Sequence, residues 1–179
     1  CRILTPLSTM RFVGPDTDIS FSVNARQWIN SDGRRNMPSG EVFTSPVEDS
    51  VNGHIYFSYP CFYRGTIIKD LRLTVVNGYI TEWSSTSGEG VLESLFKVPG
   101  ARYFGEVAIG TNPHIQTITY NTLFDEKIQG SVHMAIGASY PETGGKNVSA
   151  VHLDFITDMR QGTIYGDEQC LYQDGEFLH

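Results

Sequence analysis

The strongest constraint on the fold is a repeated alternation of apolar and polar residues in short runs. Ile19, Phe21 and Val23 alternate with serine and asparagine, and the same period of two recurs at 55–59 and 71–75. A period of two places successive side chains on opposite faces of a β-strand. Each run therefore predicts a strand with one buried face.

Turn-forming residues separate these runs. Asn77-Gly78 follows the run 71–75 and precedes a second run, 79–83. Asn-Gly supplies the positive φ angles of a tight two-residue turn, so the pair predicts a hairpin. Three further runs are rich in β-branched or aromatic residues and predict strands at 107–109, 132–136 and 151–156.

One segment has helical rather than strand periodicity. Val91, Leu92 and Leu95 share one face of a helix, and Pro99-Gly100 closes the segment, which predicts a short helix over 89–97. The length of 179 residues suits one well-buried domain. The sequence thus predicts an α+β fold that is rich in β, with mixed or antiparallel sheets and few short helices, in a single domain over 1–179.

Charge and cysteine content exclude several classes of protein. The net charge is -7 and no basic run occurs, which argues against nucleic-acid binding. No apolar run is long enough to span a bilayer, so we expect no membrane partner. The three cysteines form no CxxC pair, and we expect free thiols in a cytoplasmic protein. The chain opens on Cys1, which we interpret as truncation rather than lipid modification.

Two loops rich in glycine and polar residues flank the most polar strands. Residues 30–40 contain Asp-Gly and Pro, predict an irregular loop and deliver Glu41. Residues 138–149 join two predicted strands and are placed to form the wall of a pocket.

The run VHLDFI carries a pair of potential metal ligands. Alternation places His152 and Asp154 on one face of the strand, about 7 Å apart, and the apolar residues on the other. Imidazole nitrogen and carboxylate oxygen are common ligands of divalent cations. The alternative for this pair alone is the solvent-facing edge of a half-buried strand.

Three more residues extend this set. His133 lies opposite the apolar face of the strand 132–136, and Glu106 and Glu41 each follow a glycine. Taken singly, a histidine such as His133 is more often a hydrogen-bonded structural residue than a ligand, and the two glutamates could equally be solvated rim residues. Together, three carboxylates and two neutral imidazoles around two divalent cations leave one positive charge, which a bridging hydroxide would neutralise. Nitrogen and oxygen ligands without thiolate suit zinc, cobalt or manganese.

Four blocks of the sequence resemble one family of enzymes, the metal-dependent aminopeptidases that include aminopeptidases T and S. The resemblance runs from about Gly14 to Gly175 and is carried by NSDGRRNMPSGEVFT (30–44), FGEVAIGTNP (104–113), NTLFDEKIQGSVHMAIGASYPETGGKN (121–147) and VHLDFITDMR (151–160). It implies a two-metal site whose ligands are Glu41, Glu106, His133, His152 and Asp154.

The resemblance implies roles for two further residues. Tyr140 of GASYP would hydrogen-bond the oxygen of the tetrahedral intermediate; the alternative is aromatic packing. Glu126 of DEK would act as general base, or would orient a ligand or pair with Lys127. The family resemblance also implies a homodimer and an N-terminal α/β domain, after which we expect this chain to begin.

The sequence therefore predicts a metallo-aminopeptidase that hydrolyses the N-terminal peptide bond of short peptides. One alternative is a non-catalytic domain, or an inactive isolated domain, that binds metal in the same pocket. A second is a β-rich ligand-binding module that uses Trp28 and Trp83 as an aromatic platform, although both tryptophans are more simply core residues.

Overall fold

The computed structural model describes residues 1–178, which form fifteen short strands, two helices and a 3-10 turn. The strands, in chain order, are β1 Thr9–Gly14, β2 Thr17–Ser22, β3 Ile29–Ser31, β4 Glu41–Thr44, β5 Asn52–Phe57, β6 Cys61–Tyr63, β7 Thr66–Ile68, β8 Leu71–Val76, β9 Tyr79–Ser84, β10 Phe104–Gly110, β11 Ser131–Gly137, β12 His152–Asp158, β13 Thr163–Gly166, β14 Gln169–Gln173 and β15 Glu176–Phe177. The helices are α1 Glu89–Leu95 and α2 Thr122–Asp125, and the 3-10 turn is Pro141–Thr143.

Eight strands form the larger sheet, in the order β15-β14-β13-β1-β2-β5-β8-β9. Its strands alternate as the sequence predicts: Leu71, Leu73 and Val75 are buried while Arg72 faces solvent. Val76 pairs with Tyr79 across the Asn77-Gly78 turn, whose φ angles are 49° and 79°. The predicted hairpin is therefore confirmed.

Five strands form the second sheet, in the order β12-β11-β10-β4-β3, and β6 and β7 form a separate hairpin. Every pairing between these fifteen strands of residues 1–178 is antiparallel. The inner face of the five-stranded sheet carries Val107, Met134 and Phe155, which belong to the same hydrophobic core as the eight-stranded sheet. The Phe57 and Phe155 rings, one from each sheet, lie 5.5 Å apart.

The outer face of the five-stranded sheet is also covered. Residues 111–130, which join β10 to β11 and contain α2, place Ile128 against Ile156 and Tyr59. As a result, every residue of β10 and β11 is buried. His133, which lies opposite the apolar face of β11, is therefore buried as well: its side chain is 1% exposed.

The strands and the helix that were predicted from the sequence are all present, with boundaries shifted by a few residues. The predicted helix is α1, but α2 was missed because it is a single turn. Its first turn is held by the Asn121 side chain, which accepts a hydrogen bond from Leu123 N. The missed strands have six residues or fewer; they are β1, β3, β4, β6, β7, β13, β14 and β15.

The three cysteines are free thiols, with Cys61 buried and Cys1 exposed. Burial raises the pKa of the Cys61 thiol to about 12. Within residues 1–178, no helix has the length and apolar character needed to cross a membrane.

Candidate metal centre

The five predicted ligands converge on the outer face of the five-stranded sheet. Glu41 begins β4, Glu106 lies in β10, His133 in β11, and His152 and Asp154 in β12. Four different strand segments thus contribute to one cluster. Glu41 and Glu106 are 5% and 4% exposed, which contradicts the alternative that they are solvated rim residues.

Small residues on neighbouring strands make room for these side chains. Ala135 pairs with both Glu106 and Asp154, and Gly137 pairs with His152. Gly110 pairs with Glu41, so four ligand side chains project beside a neighbour that has little or no side chain. On the outer face of β11, His133 is followed by Ala135 and Gly137, which leave space for the larger ligand side chains of the neighbouring strands.

Glu106 lies at the centre of the cluster and faces both histidines. Its Oε1 is 3.6 Å from His133 Nε2, and its Oε2 is 3.1 Å from His152 Nε2. Glu41 Oε2 lies 3.2 Å from His133 Nε2, and Asp154 Oδ1 lies 3.7 Å from His152 Nε2. The arrangement contains two groups of three donors, which share Glu106.

Each group is compact enough for one cation. The donor atoms of Glu41, Glu106 and His133 lie within 4.8 Å of one another, and so do those of Glu106, His152 and Asp154. Glu126, His133 and Asp154 form a third such group. The donors are carboxylate oxygens and imidazole nitrogens, which bind borderline divalent cations such as zinc and also suit manganese.

Unpaired buried oxygens support a fit to metal ions. Glu41 Oε2 and Asp154 Oδ1 are buried; they lie 3.2 Å and 3.7 Å from histidine nitrogens, but neither forms a hydrogen bond among the described residues. An unsatisfied buried carboxylate oxygen is costly, because it has lost its water without gaining a donor. One such atom lies in each of the two groups, so a cation in each group would satisfy both.

The second nitrogen of His152 is used to orient the ring. His152 Nδ1 lies 2.7 Å from the carbonyl oxygen of Ala138. A carbonyl can only accept, so Nδ1 carries the hydrogen and Nε2 is left to face Glu106 and Asp154. This contact is typical of metal-binding histidines, whose outer nitrogen is held by a carbonyl or carboxylate.

In the metal-free cluster, the histidines hold protons. Burial alone would lower the pKa of His133, but its contacts with Glu106 and Glu41 outweigh burial and raise the pKa well above its usual value. Burial would also lower the pKa of His152, but its contact with Glu106, the main partner, outweighs burial and raises this pKa to about 9. Against the effect of burial, the two imidazoliums lower the pKa of Glu106 to about 2.

Two other carboxyl groups of the cluster are shifted in the opposite direction. Burial, together with the charges of Glu106 and Glu126, raises the pKa of Asp154 to about 7. Burial also raises the pKa of Glu126, despite the neighbouring cations His133 and Lys127. Carboxylates that share a dry site must be neutralised by protons or by cations.

Lys127 is a member of the site whose contact with Glu41 the sequence did not predict. Its side chain is 0% exposed, and its Nζ lies 2.9 Å from Glu41 Oε1 and contacts Glu126 Oε1. The pairing of Glu126 with Lys127, one of the alternatives drawn from the sequence, is thus present. The sequence indicated only that Lys127 is a charged neighbour of Glu126. Its contact with Glu41 could not be predicted, because local sequence patterns do not show which distant residues the fold brings together.

A cavity of about 510 Å³ opens onto the cluster. Glu41, Glu106, Glu126 and Asp154 lie at its floor. Residues of both polar loops, 30–40 and 138–149, line its walls, although only 138–149 was expected to do so. Further lining residues are Ile29, Asn30, Ser31, Asp32, Arg34, Arg35, Asn36, Phe43, Tyr140 and Glu142.

Tyr140 lies at the edge of this cavity and is 40% exposed. Its ring packs 4.9 Å from the His152 ring and 5.6 Å from the Phe43 ring. Partial burial and the nearby carboxylates, led by Glu106, raise the pKa of its phenol, so the hydroxyl keeps its proton. Packing and hydrogen-bond donation are therefore compatible roles for this residue.

The two tryptophans of the proposed aromatic platform lie elsewhere. Trp28 is 4% exposed and belongs to the core. Trp83 packs against the core, with its ring 4.8 Å from Phe96 and the Arg102 guanidinium above it. Both positions favour the structural interpretation.

Known proteins resemble this chain over most of its length. Curated relatives include the aminopeptidase PepS of Streptococcus thermophilus, 34% identical over 89% of this chain, and the aminopeptidase AmpS of Bacillus subtilis, 36% identical over 77%. Aminopeptidase T of Thermus thermophilus is 31% identical over 93% of this chain. These alignments cover 45%, 38% and 46% of the relatives, so this chain spans less than half of their length.

Two solved structures also resemble this chain over most of its length. Wild-type AmpT from Thermus thermophilus superposes with a TM-score of 0.85 at 28% identity, over 97% of this chain and 50% of that one. A 2,5-dihydroxypyridine dioxygenase from Pseudomonas putida shares the fold, with a TM-score of 0.81 at 19% identity over 99% of this chain and 56% of that one. The profile of the thermophilic metalloprotease (M29) family matches residues 2–177. The match covers nearly the whole chain, which is therefore a member of the thermophilic metalloprotease (M29) family.

Proposed function

We propose that this chain is the metal-binding catalytic part of a metal-dependent aminopeptidase, which hydrolyses the N-terminal peptide bond of short peptides. The observation that carries the proposal is the pair of donor groups joined by Glu106 at the floor of an open cavity. The names of the relatives support the same reaction class. The fold alone does not support this reaction class, because a dioxygenase has the same fold.

In this proposal, Glu41, Glu106 and His133 hold one divalent cation, and Glu106, His152 and Asp154 hold a second. Zinc, cobalt and manganese fit this donor set, which contains carboxylates and imidazoles but no thiolate. When bound, two such ions would supply a bridging hydroxide as nucleophile, anchor the free α-amine and polarise the scissile carbonyl.

The protein's own groups would do the remaining work. Tyr140 donates its hydroxyl hydrogen to the substrate oxygen on which negative charge develops, since its raised pKa keeps it protonated. Glu126 accepts the proton of the attacking water and passes it to the leaving amine. Its position beside Lys127 and the cavity supports this role.

Three broader features belong to the same proposal. Residues 1–179 act as one metal-binding domain, since the residues of both sheets share a single core. The family resemblance supports a homodimer, and the free thiols support a cytoplasmic location.

The test is hydrolysis by the full chain after chelation and reloading with zinc or cobalt, using a chromogenic aminoacyl amide. Tyr140→Phe should lower kcat by about 10²- to 10³-fold, the usual cost of one oxyanion donor. Tyr79→Phe is the matched control, because Tyr79 is also 40% exposed but lies outside the cavity. A folded chain that binds both ions and hydrolyses nothing would instead favour the non-catalytic metal-binding domain.

A further inference from the structure

Lys127 is unusual among the lysines of this chain. Its side chain is 0% exposed, whereas Lys69, Lys97 and Lys146 are exposed. Burying an ammonium group costs several kcal/mol unless it is paired and hydrogen-bonded. Two carboxylates, Glu41 and Glu126, pair with Lys127 here, so this cation is held where it directly affects the candidate metal centre.

The contact divides the two oxygens of Glu41. Oε1 forms an ion pair with Lys127 Nζ at 2.9 Å. Oε2 lies 3.2 Å from His133 Nε2 and has no hydrogen-bond partner among residues 1–178. One oxygen is therefore occupied by the lysine, and the other is left to face the donors of Glu106 and His133.

The backbone fixes the position of this lysine relative to Glu41. Lys127 N donates to Phe124 O at 3.1 Å, and Lys127 O accepts from Asn112 N at 2.9 Å. The Asn112 side chain in turn donates to Ser39 O at 2.7 Å, two residues before Glu41. The segment that carries Lys127 and the loop that carries Glu41 are thus held together through Asn112.

The second donor group has no equivalent cation. Asp154 and Glu106 make ion pairs with His133 or His152, but within the described chain neither pairs with a lysine or an arginine. The two donor groups therefore differ. The carboxylate of Glu41 is paired with the ammonium of Lys127, whereas the carboxylate of Asp154 is paired with no lysine or arginine of the described chain.

We propose that Lys127 is a positioning residue that holds Glu41 as a one-oxygen ligand and so makes the two cation positions unequal. This inference rests on the proposed metal centre. Lys127 acts through Glu41 rather than on the substrate, and its second contact holds Glu126, which lies near both His133 and Asp154. The first position, at Glu41 and His133, depends on Lys127, and the second, at His152 and Asp154, does not.

The experiment is a Co²⁺ titration of the chelated full chain, followed by calorimetry and by visible absorption. Lys127→Met should weaken one equivalent of Co²⁺ by about 10- to 100-fold, the usual cost of losing a group that orients a ligand. It should also alter the absorption of that equivalent and leave the other unchanged. Lys97→Met removes the same charge at an exposed site and should alter neither equivalent.

A second variant guards against misfolding. Lys127→Met leaves Glu126 without its cation, whereas the double variant K127M/E126Q removes both members of that pair. The double variant should show the same weakened equivalent, because Glu41 Oε1 still lacks its donor. Circular dichroism establishes that each variant is folded.

The outcomes separate this inference from the proposed function. Equal affinities in the wild type and folded Lys127 variants, or an equal loss at both positions, would overturn the inference alone. A folded wild-type chain that binds no Co²⁺ would overturn the proposed metal centre and the inference with it. A wild type that binds only one equivalent would overturn the inference, because there would be no second cation position to differ from the first.

Discussion

The outer faces of the two sheets differ although both sheets are antiparallel and share one core. On the eight-stranded sheet, outward side chains such as Arg11 and Ser20 are exposed to water. On the five-stranded sheet, the segment 111–130 covers outward side chains, and His133 and Glu106 are buried. A polar residue is unremarkable at an outward position on a wet face, but on a covered face it needs a partner.

The same difference separates two kinds of ion pair. Arg11 and Asp18 meet at 2.6 Å with side chains 53% and 42% exposed, so water and salt screen their attraction. Glu106 meets His133 and His152 where its side chain is 6% exposed. Buried charges of this kind cost free energy unless they are compensated, which is why we assign the covered face to function and the core faces to stability.

The largest expected effect comes from Glu106→Gln on the covered face. The amide keeps the shape of the side chain but removes the charge shared by both donor groups. Because metal ions supply several kcal/mol of transition-state stabilisation, hydrolysis should fall by about 10³-fold or more. Metal content after reloading and kcat/KM measure the effect. Glu82→Gln, on an exposed strand of the other sheet, is the control and should change neither quantity.

On the inner face of the same sheet, Met134→Ala should act on stability instead. Met134 is 0% exposed in the shared core, and a cavity left by such a truncation costs about 2–5 kcal/mol. Urea unfolding of the metal-free chain measures the loss. Met37→Ala is the control, because Met37 is 77% exposed and such surface changes stay within about 0.5 kcal/mol. A loss of metal stoichiometry in folded Met134→Ala would contradict the separation of the two faces.

The wet and covered faces were not equally predictable from the sequence. Alternation identified four strands of the eight-stranded sheet, β2, β5, β8 and β9. It also placed His152 and Asp154 on one face, because β12 is still half-wet there. It did not predict the burial of His133, because the covering segment 111–130 has no clear periodicity and packs through Ile128. The contact of Lys127 with Glu41 joins residues 86 positions apart, and only the fold brings them together.

Protons should compete with metal ions on the covered face. In the metal-free chain the pKa of His133 lies well above 6.5 and that of His152 is raised to about 9, so both imidazoles are protonated near neutral pH. A cation must displace these protons, and its affinity should rise about tenfold per pH unit for each proton released. Calorimetry in two buffers of different ionisation enthalpy measures the number released. Equal heats in both buffers would contradict the prediction.

The stability of the metal-free chain should fall as pH rises, whereas its affinity for metal ions should increase. A histidine whose pKa is raised on folding stabilises the fold below its unfolded pKa of 6.5, and the effect is lost as pH rises through the folded value. The melting temperature of the metal-free chain should therefore fall between about pH 6.5 and pH 9. That of the metal-loaded chain should not, since bound cations replace the protons. Parallel melting curves with and without chelator distinguish the two.

The smallest expected effect is that of Asp18→Asn on the wet face. The hydrogen bond from Arg11 holds the pKa of Asp18 below its usual value. Its contribution to stability is therefore present above the unfolded pKa of 3.8 and is lost as pH falls through the lower folded value. Since both side chains are exposed, the change in melting temperature should be close to the measurement error and should vanish in about 0.5 M NaCl. A large effect that survives salt would mean that this face, too, is shielded from water.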